Sequence, residues 1–92
     1  MKKVRAHIII KGIVQGVFFR ANTQDVAVSH GVHGWVRNTM DGGVEAMLEG
    51  EEEAVKKVIK WCRQGPPGAM VDSVDIKWLD YTGEFTGFNI TR

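Results

Sequence analysis

Residues 51–64 constrain the fold more than any other stretch of this sequence. Val55, Val58, Ile59 and Cys62 recur at i, i+3, i+4 and i+7, which predicts a helix with a single apolar stripe. Glu51, Glu52 and Glu53 open it and Arg63 lies near its end, the charge order that a helix macrodipole favours. Gly65-Pro66-Pro67-Gly68 stops it. A one-striped helix has to lay that stripe on another layer. At 92 residues the chain can bury one modest core and little more.

The remaining segments supply that layer. Arg5 to Val14 alternates, with Ala6, Ile8 and Ile10 on one face and Arg5, His7 and Lys11 on the other; Ile9 sits on the polar side. This predicts a half-buried strand. Gln15-Gly16-Val17-Phe18-Phe19-Arg20 breaks the alternation. Residues 21–30 then read as a helix with Phe19, Val26, Ala27 and His30 along one stripe and Gly31 as its stop. His33 to Asn38 is a second strand, Met40-Asp41-Gly42-Gly43 a turn, and Val44, Ala46 and Leu48 mark the returning strand of a hairpin. Val74, Ile76 and Trp78 form another strand, and Phe88 to Ile90 a short last one after the turn region Gly83–Gly87.

The order β-α-β-β-α-β with a small terminal strand predicts an α+β, ferredoxin-like sandwich. It would be one domain over residues 1–92, an antiparallel sheet with both helices on one face. The first β-α-β unit makes strands one and two parallel, with strand three inserted between them. Their C-terminal ends then share an edge of the sheet. The segment Gln15–Arg20 and the end of strand two at Asn38 become neighbours.

That edge has chemical possibilities. A strand-to-helix loop presents free backbone N–H groups and the positive end of a helix dipole to an anion. Gly16 permits a sharp turn and close approach of a ligand, and Arg20 offers a planar fork matched to phosphate or carboxylate oxygens. The same residues also suit an ordinary glycine turn with a solvated arginine. Asn38 has a donor and an acceptor, so it can orient a water molecule without titrating. It is equally compatible with a residue that initiates the following turn.

Other residues point elsewhere. Twelve Lys and Arg against eleven Asp and Glu give a net charge of +1, which removes the electrostatic footprint of a dedicated nucleic-acid binder. Cys62 is single and lies on an apolar stripe, so it reads as a small core residue, and no Cys/His cluster has zinc-ligand spacing. Ile8-Ile9-Ile10 is too short for a membrane span or a signal-peptide core, and a cytoplasmic location is the simplest expectation. His30 reads as a helix end, His7 and His33 as exposed strand residues, and Trp35, Trp61 and Trp78 as core or sheet-face residues. Glu51–Glu53 reads as a solvated first helical turn.

Two longer patterns carry a resemblance. Gly12-Ile13-Val14-Gln15-Gly16-Val17-Phe18-Phe19-Arg20 resembles the first signature of the acylphosphatases, and Gly34-Trp35-Val36-Arg37-Asn38 with Gly42, Val44 and Gly50 resembles the second. Gly65-Pro66-Pro67 and Gly87-Phe88-Asn89-Ile90 are also similar, so the likeness spans nearly the whole chain. The resemblance implies hydrolysis of the carboxyl-phosphate bond of acyl phosphates, giving a carboxylate and inorganic phosphate. It implies that the loop Gln15, Gly16, Val17, Phe18, Phe19 and Arg20 cradles the phosphate, that Arg20 binds its oxygens, and that Asn38 positions the attacking water. It implies no metal and no organic cofactor. Inorganic phosphate is the expected product and inhibitor, and no nucleic acid or membrane is an expected partner.

The same element order serves RNA-recognition modules, which display aromatic residues on two central strands over a basic background. Strand one here and Val44–Glu49 carry none. Acylphosphatase-like domains of hydrogenase-maturation proteins offer a third reading, but those are parts of longer chains whereas this sequence stops at Arg92. A free-standing, monomeric enzyme is the expectation.

Overall fold

A computed structural model describes residues 2–91; Met1 and Arg92, the ends of the expected 1–92 domain, lie outside the described residues. The elements are β1 (Lys3–Ile13), α1 (Phe19–Ser29), β2 (His33–Asn38), β3 (Val44–Glu51), α2 (Glu52–Gln64), β4 (Met70–Leu79) and β5 (Phe88–Ile90). They form a five-stranded sheet in the order β4-β1-β3-β2-β5. β3 lies antiparallel between β1 and β2, as the crossover rule requires.

Register decides which side chains meet the helices. Ala6, Ile8 and Ile10 stand opposite Leu48, Ala46 and Val44, which stand opposite Gly34, Val36 and Asn38 in turn. Ile8 and Ile10 are fully buried, and each contributes about 2–3 kcal/mol relative to exposure. The helices pack on this face through Phe19, Thr23 and Ala27 of α1 and Val55, Val58, Ile59 and Cys62 of α2. The opposite face carries Arg5, His7, Glu45, Glu49, Trp35 and Arg37, and no helix among the described residues lies over it.

Three expectations change. The sheet is mixed, because β5 pairs parallel to β2. The connection after β4 crosses to the far edge, and β5 then enters from the same end of the sheet as β2. α1 buries Thr23 and leaves His30 exposed, with Val26 half-buried against the core; the Thr23 hydroxyl donates to the Phe19 carbonyl at 2.7 Å, so a polar residue fits the stripe. His7 is half-buried, its Nε2 2.5 Å from Glu45 Oε2. Trp78 is a sheet-face residue, as expected, and on edge strand β4 keeps 47 % of its surface exposed. No helix among the described residues is long and apolar enough to cross a membrane.

Candidate active site

The loop between β1 and α1 is built by side chains that pull in different directions. Gln15 Nε2 donates to the carbonyls of Thr39 and Gly43, both at 2.8 Å, and ties the loop to the β2–β3 turn. Gly16 has φ +77°, and Phe18 follows with φ 62° and ψ 28°. A left-handed conformation costs a side-chain-bearing residue roughly 1–2 kcal/mol. Phe18 is the only non-glycine residue with positive φ among the described residues. Asn22 braces it, donating to the Phe18 carbonyl from both its backbone N–H (3.1 Å) and its side chain (2.9 Å).

Phe19 supplies the anchor. Its ring is 1 % exposed, lies 5.4 Å from the Trp61 ring, and fills the place that a Cβ on Gly65 would take. Glycine and two prolines at the end of α2 thus make room for the residue that seats the loop. With positive φ at residues 16 and 18, the loop has the alternating curvature of an anion-binding backbone nest. α1 begins directly after Phe18, without a side-chain cap and with no acidic residue in its first turn. Its first N–H groups are left for another acceptor.

A cavity of about 280 Å³ opens at this helix end, lined by Val14, Gly16, Phe18, Phe19, Arg20, Ala21, Asn38 and Ile90. Arg20 and Asn38, eighteen positions apart in sequence, therefore face the same space. Asn38 ends β2 on the helix side of the sheet, in one row with Val44 and Ile10. The turn that follows is held by Thr39 and Asp41. Thr39 Oγ1 accepts from the Gly43 N–H at 2.9 Å and donates to the Asp41 carboxylate, and Asn38 adds no side-chain hydrogen bond to it. Hydrogen bonds from the Thr39 hydroxyl and the Gly43 backbone hold the Asp41 carboxyl below its ordinary range.

Of the residues expected at the site, Gly16, Phe18, Phe19, Arg20 and Asn38 line the cavity. The side chains of Gln15 and Val17 do not; Gln15 reaches the β2–β3 turn, and Val17 packs against the core and beside Gly68. Ile90 also lines the cavity, although the sequence places it only in the last strand. Only the parallel placement of β5 brings it there, and a three-residue strand carries no signal of its neighbour. Among the described residues no three His, Cys, Asp or Glu side chains gather closely enough to hold a metal.

The acylphosphatase family model matches residues 6–90. An acylphosphatase of Pelotomaculum thermopropionicum is 53 % identical over 90 residues, covering 98 % of each chain. One from Pyrobaculum calidifontis is 59 % identical over 88 residues, covering 95 % of this chain and 80 % of its own. Among solved structures, the acylphosphatase of Bacillus subtilis superposes with a TM-score of 0.93 at 31 % identity, over 97 % of this chain and 99 % of its own.

Proposed function

The chain belongs to the acylphosphatase family and hydrolyses acyl phosphates, and we propose that it does so by in-line attack of a water held by Asn38 on a phosphoryl group held by Arg20 and the backbone of Gln15–Arg20. The single observation that carries this mechanism is the shared cavity: an uncapped helix N-terminus, a guanidinium and an amide meet in one place.

The chemistry needs little else. An acyl phosphate is a mixed anhydride with a good leaving group, so general-acid assistance is dispensable. Charge in a loose phosphoryl-transfer transition state spreads over the equatorial oxygens, where preorganised donors act most strongly. Arg20 and the loop N–H groups supply those donors without a metal ion or an organic cofactor. Asn38 orients the water through its amide, and the phosphoryl group itself accepts the water's proton. Product phosphate occupies the same donors and inhibits. A monomer in the cytoplasm suffices for this work, since one chain contributes every residue named.

The test is hydrolysis of benzoyl phosphate followed by ultraviolet absorbance, with and without a chelator. Removing a preorganised donor costs on the order of 2.7–4 kcal/mol of activation free energy, so Arg20→Ala should lose about 10²–10³ in kcat and its inhibition by phosphate. Asn38→Ala should lose turnover yet keep its phosphate affinity. Equal loss of phosphate binding in both variants would overturn this division of roles.

A further inference from the structure

The two ends of the last connection lie on opposite edges of the sheet. β4 and β5 are the outermost strands, so residues 80–87 must carry the chain past β1, β3 and β2. One carboxylate on the central strand meets that crossing. Glu49 is 2 % exposed and lies on the face without helices, opposite Arg5 and His33 in register. Its Oε2 accepts from the Thr82 N–H at 2.8 Å, the Thr82 hydroxyl at 2.9 Å and Arg5 Nη1 at 3.1 Å; its Oε1 accepts from the Gly83 N–H at 3.1 Å. Arg5 Nη1 also contacts Thr82 Oγ1 at 2.8 Å and Glu84 Oε1 at 2.6 Å, and its guanidinium lies over the Phe85 ring at 5.2 Å.

Beyond this mooring the chain pairs with β2. The Gly34 N–H donates to the Gly87 carbonyl at 2.9 Å, and the Thr91 N–H to the Val36 carbonyl at 2.8 Å. Gln24 Nε2 donates to the Phe88 carbonyl at 2.8 Å. β5 has only three residues, too few to hold a register by themselves. Yet it places Ile90 in the cavity wall and converts β2 from an edge strand into a paired one, two residues short of Asn38.

We propose that Glu49 is a positioning residue for the phosphate cavity: it moors the 80–87 crossing, and the crossing in turn holds β5 against β2 so that Ile90 and Asn38 keep their places. The cavity's catalytic use rests on the function proposed above; the mooring of β5 does not. Glu49 acts from the far end of β3, five residues from Val44, or about 17 Å along the strand.

Glu49→Gln tests it with almost no change in shape. Each carboxylate oxygen faces a backbone N–H, so either orientation of the new amide turns its NH₂ group on one of them. The readouts are backbone amide exchange by NMR, steady-state hydrolysis of benzoyl phosphate, and the same hydrolysis by Ile90→Ala and by the double variant, all at a temperature where every protein is folded. Exchange at Gly34 and Thr91, whose N–H groups bond across the β2–β5 seam, should speed up while the β1–β3 amides stay protected. Both single variants should lose kcat/KM on the order of tenfold, within what small misplacements cost. If Glu49 acts through β5, the double variant should be no worse than the poorer single one. Unchanged exchange in β5, or losses that multiply in the double variant, would overturn the proposal. A wild type that fails to hydrolyse benzoyl phosphate would refute the catalytic reading instead, and exchange at Gly34 and Thr91 would then decide the mooring. Should Glu49→Gln not fold, Thr82→Val removes one donor and should show the same pattern at smaller size.

Discussion

Removing the amide of Gln15 should loosen the candidate site without touching the cavity lining. The side chain spans two segments that no other side-chain hydrogen bond joins among the described residues, donating at 2.8 Å to the carbonyls of Thr39 and Gly43. A hydrogen bond of this kind contributes a net 0.5–1.5 kcal/mol or so. Two of them set a range of about 1–3 kcal/mol for Gln15→Ala. The lower half applies, because Gly43 O still accepts from the Thr39 N–H at 2.9 Å and neither carbonyl is abandoned in a dry interior. About 1–2 kcal/mol corresponds to a fall of roughly 5–15 °C in the unfolding midpoint of a domain this size. Gln15→Glu should be worse than Gln15→Ala at neutral pH, since it turns carboxylate lone pairs on two carbonyl oxygens. The introduced carboxyl would have a folded pKa raised above its unfolded value, so the difference should shrink as the pH falls and the proton supplies a donor. Thermal unfolding by circular dichroism at pH 7 and pH 4.5 reads both effects, and benzoyl phosphate turnover reads the displacement of Asn38 as a loss in kcat larger than any rise in KM. A Gln15→Ala variant that melts with the wild type would refute the weight given to these bonds. A Gln15→Glu variant more stable than Gln15→Ala at neutral pH would refute their direction.

Three further outcomes follow from the packing and the charges. Gly34→Ala should unfold the protein or cost more than 3 kcal/mol or so, because a Cβ there would lie 1.8 Å from the Met47 carbonyl oxygen, whereas Gly31→Ala, with open space around it, should cost only the roughly 1–2 kcal/mol of a left-handed residue; urea midpoints compare the two. Burial pushes the Cys62 thiol up to about 12, against a smaller opposing effect of the Thr23 hydroxyl, so the native protein should resist thiol reagents at pH 8 and react only once denaturant is added. Burial pushes the Glu49 carboxyl up, but the hydrogen bonds from Thr82, Arg5 and Gly83 together hold it below its ordinary range. A depressed carboxylate contributes stability that is present above its unfolded pKa and lost as the pH falls through the folded one, so the unfolding midpoint should be flat near neutrality and drop below about pH 5. In Glu49→Gln the acid drop should be smaller.

What the sequence discloses and what it conceals divide along sequence distance. The strand β2 and its hairpin were legible at Trp35, Val36, Asp41 and Gly42 because alternation and turn chemistry act within a few residues. The juxtaposition of Gly16–Arg20 with Asn38 was legible one step further on, since a β-α-β crossover leaves a single arrangement once strand three is inserted. Phe18 was opaque as a conformation: nothing in Val-Phe-Phe-Arg announces φ 62°, which is imposed by Phe19 seated against Trp61 and by Asn22 on the Phe18 carbonyl. Glu49 was more opaque still, because it looks like any outward-facing residue of a hairpin strand. Its donors lie 33, 34 and 44 positions away, on Thr82, Gly83 and Arg5.

This division bears on why the candidate site stands where it does. Arg20 and Asn38 sit at the ends of elements with strong local signals, so their approximate positions are set as soon as α1 and β2 form. Phosphoryl chemistry asks for more than approximate positions, because donors stabilise a spread of charge only when they are held in place before it develops. The final adjustment falls to contacts between segments remote in sequence: Phe19 in the core, Gln15 across to the turn, and the Glu49 mooring proposed for β5. Gln15 and Glu49 are polar side chains joining segments of remote sequence, and each is replaceable without altering the hydrophobic pattern that specifies the fold. Substitutions at Gln15 or Glu49 should therefore lower activity in proteins that still fold, while substitutions at Ile8 or Ile10 should lower both together. A survey in which activity followed stability alone at all four positions would show that the elements by themselves hold the site.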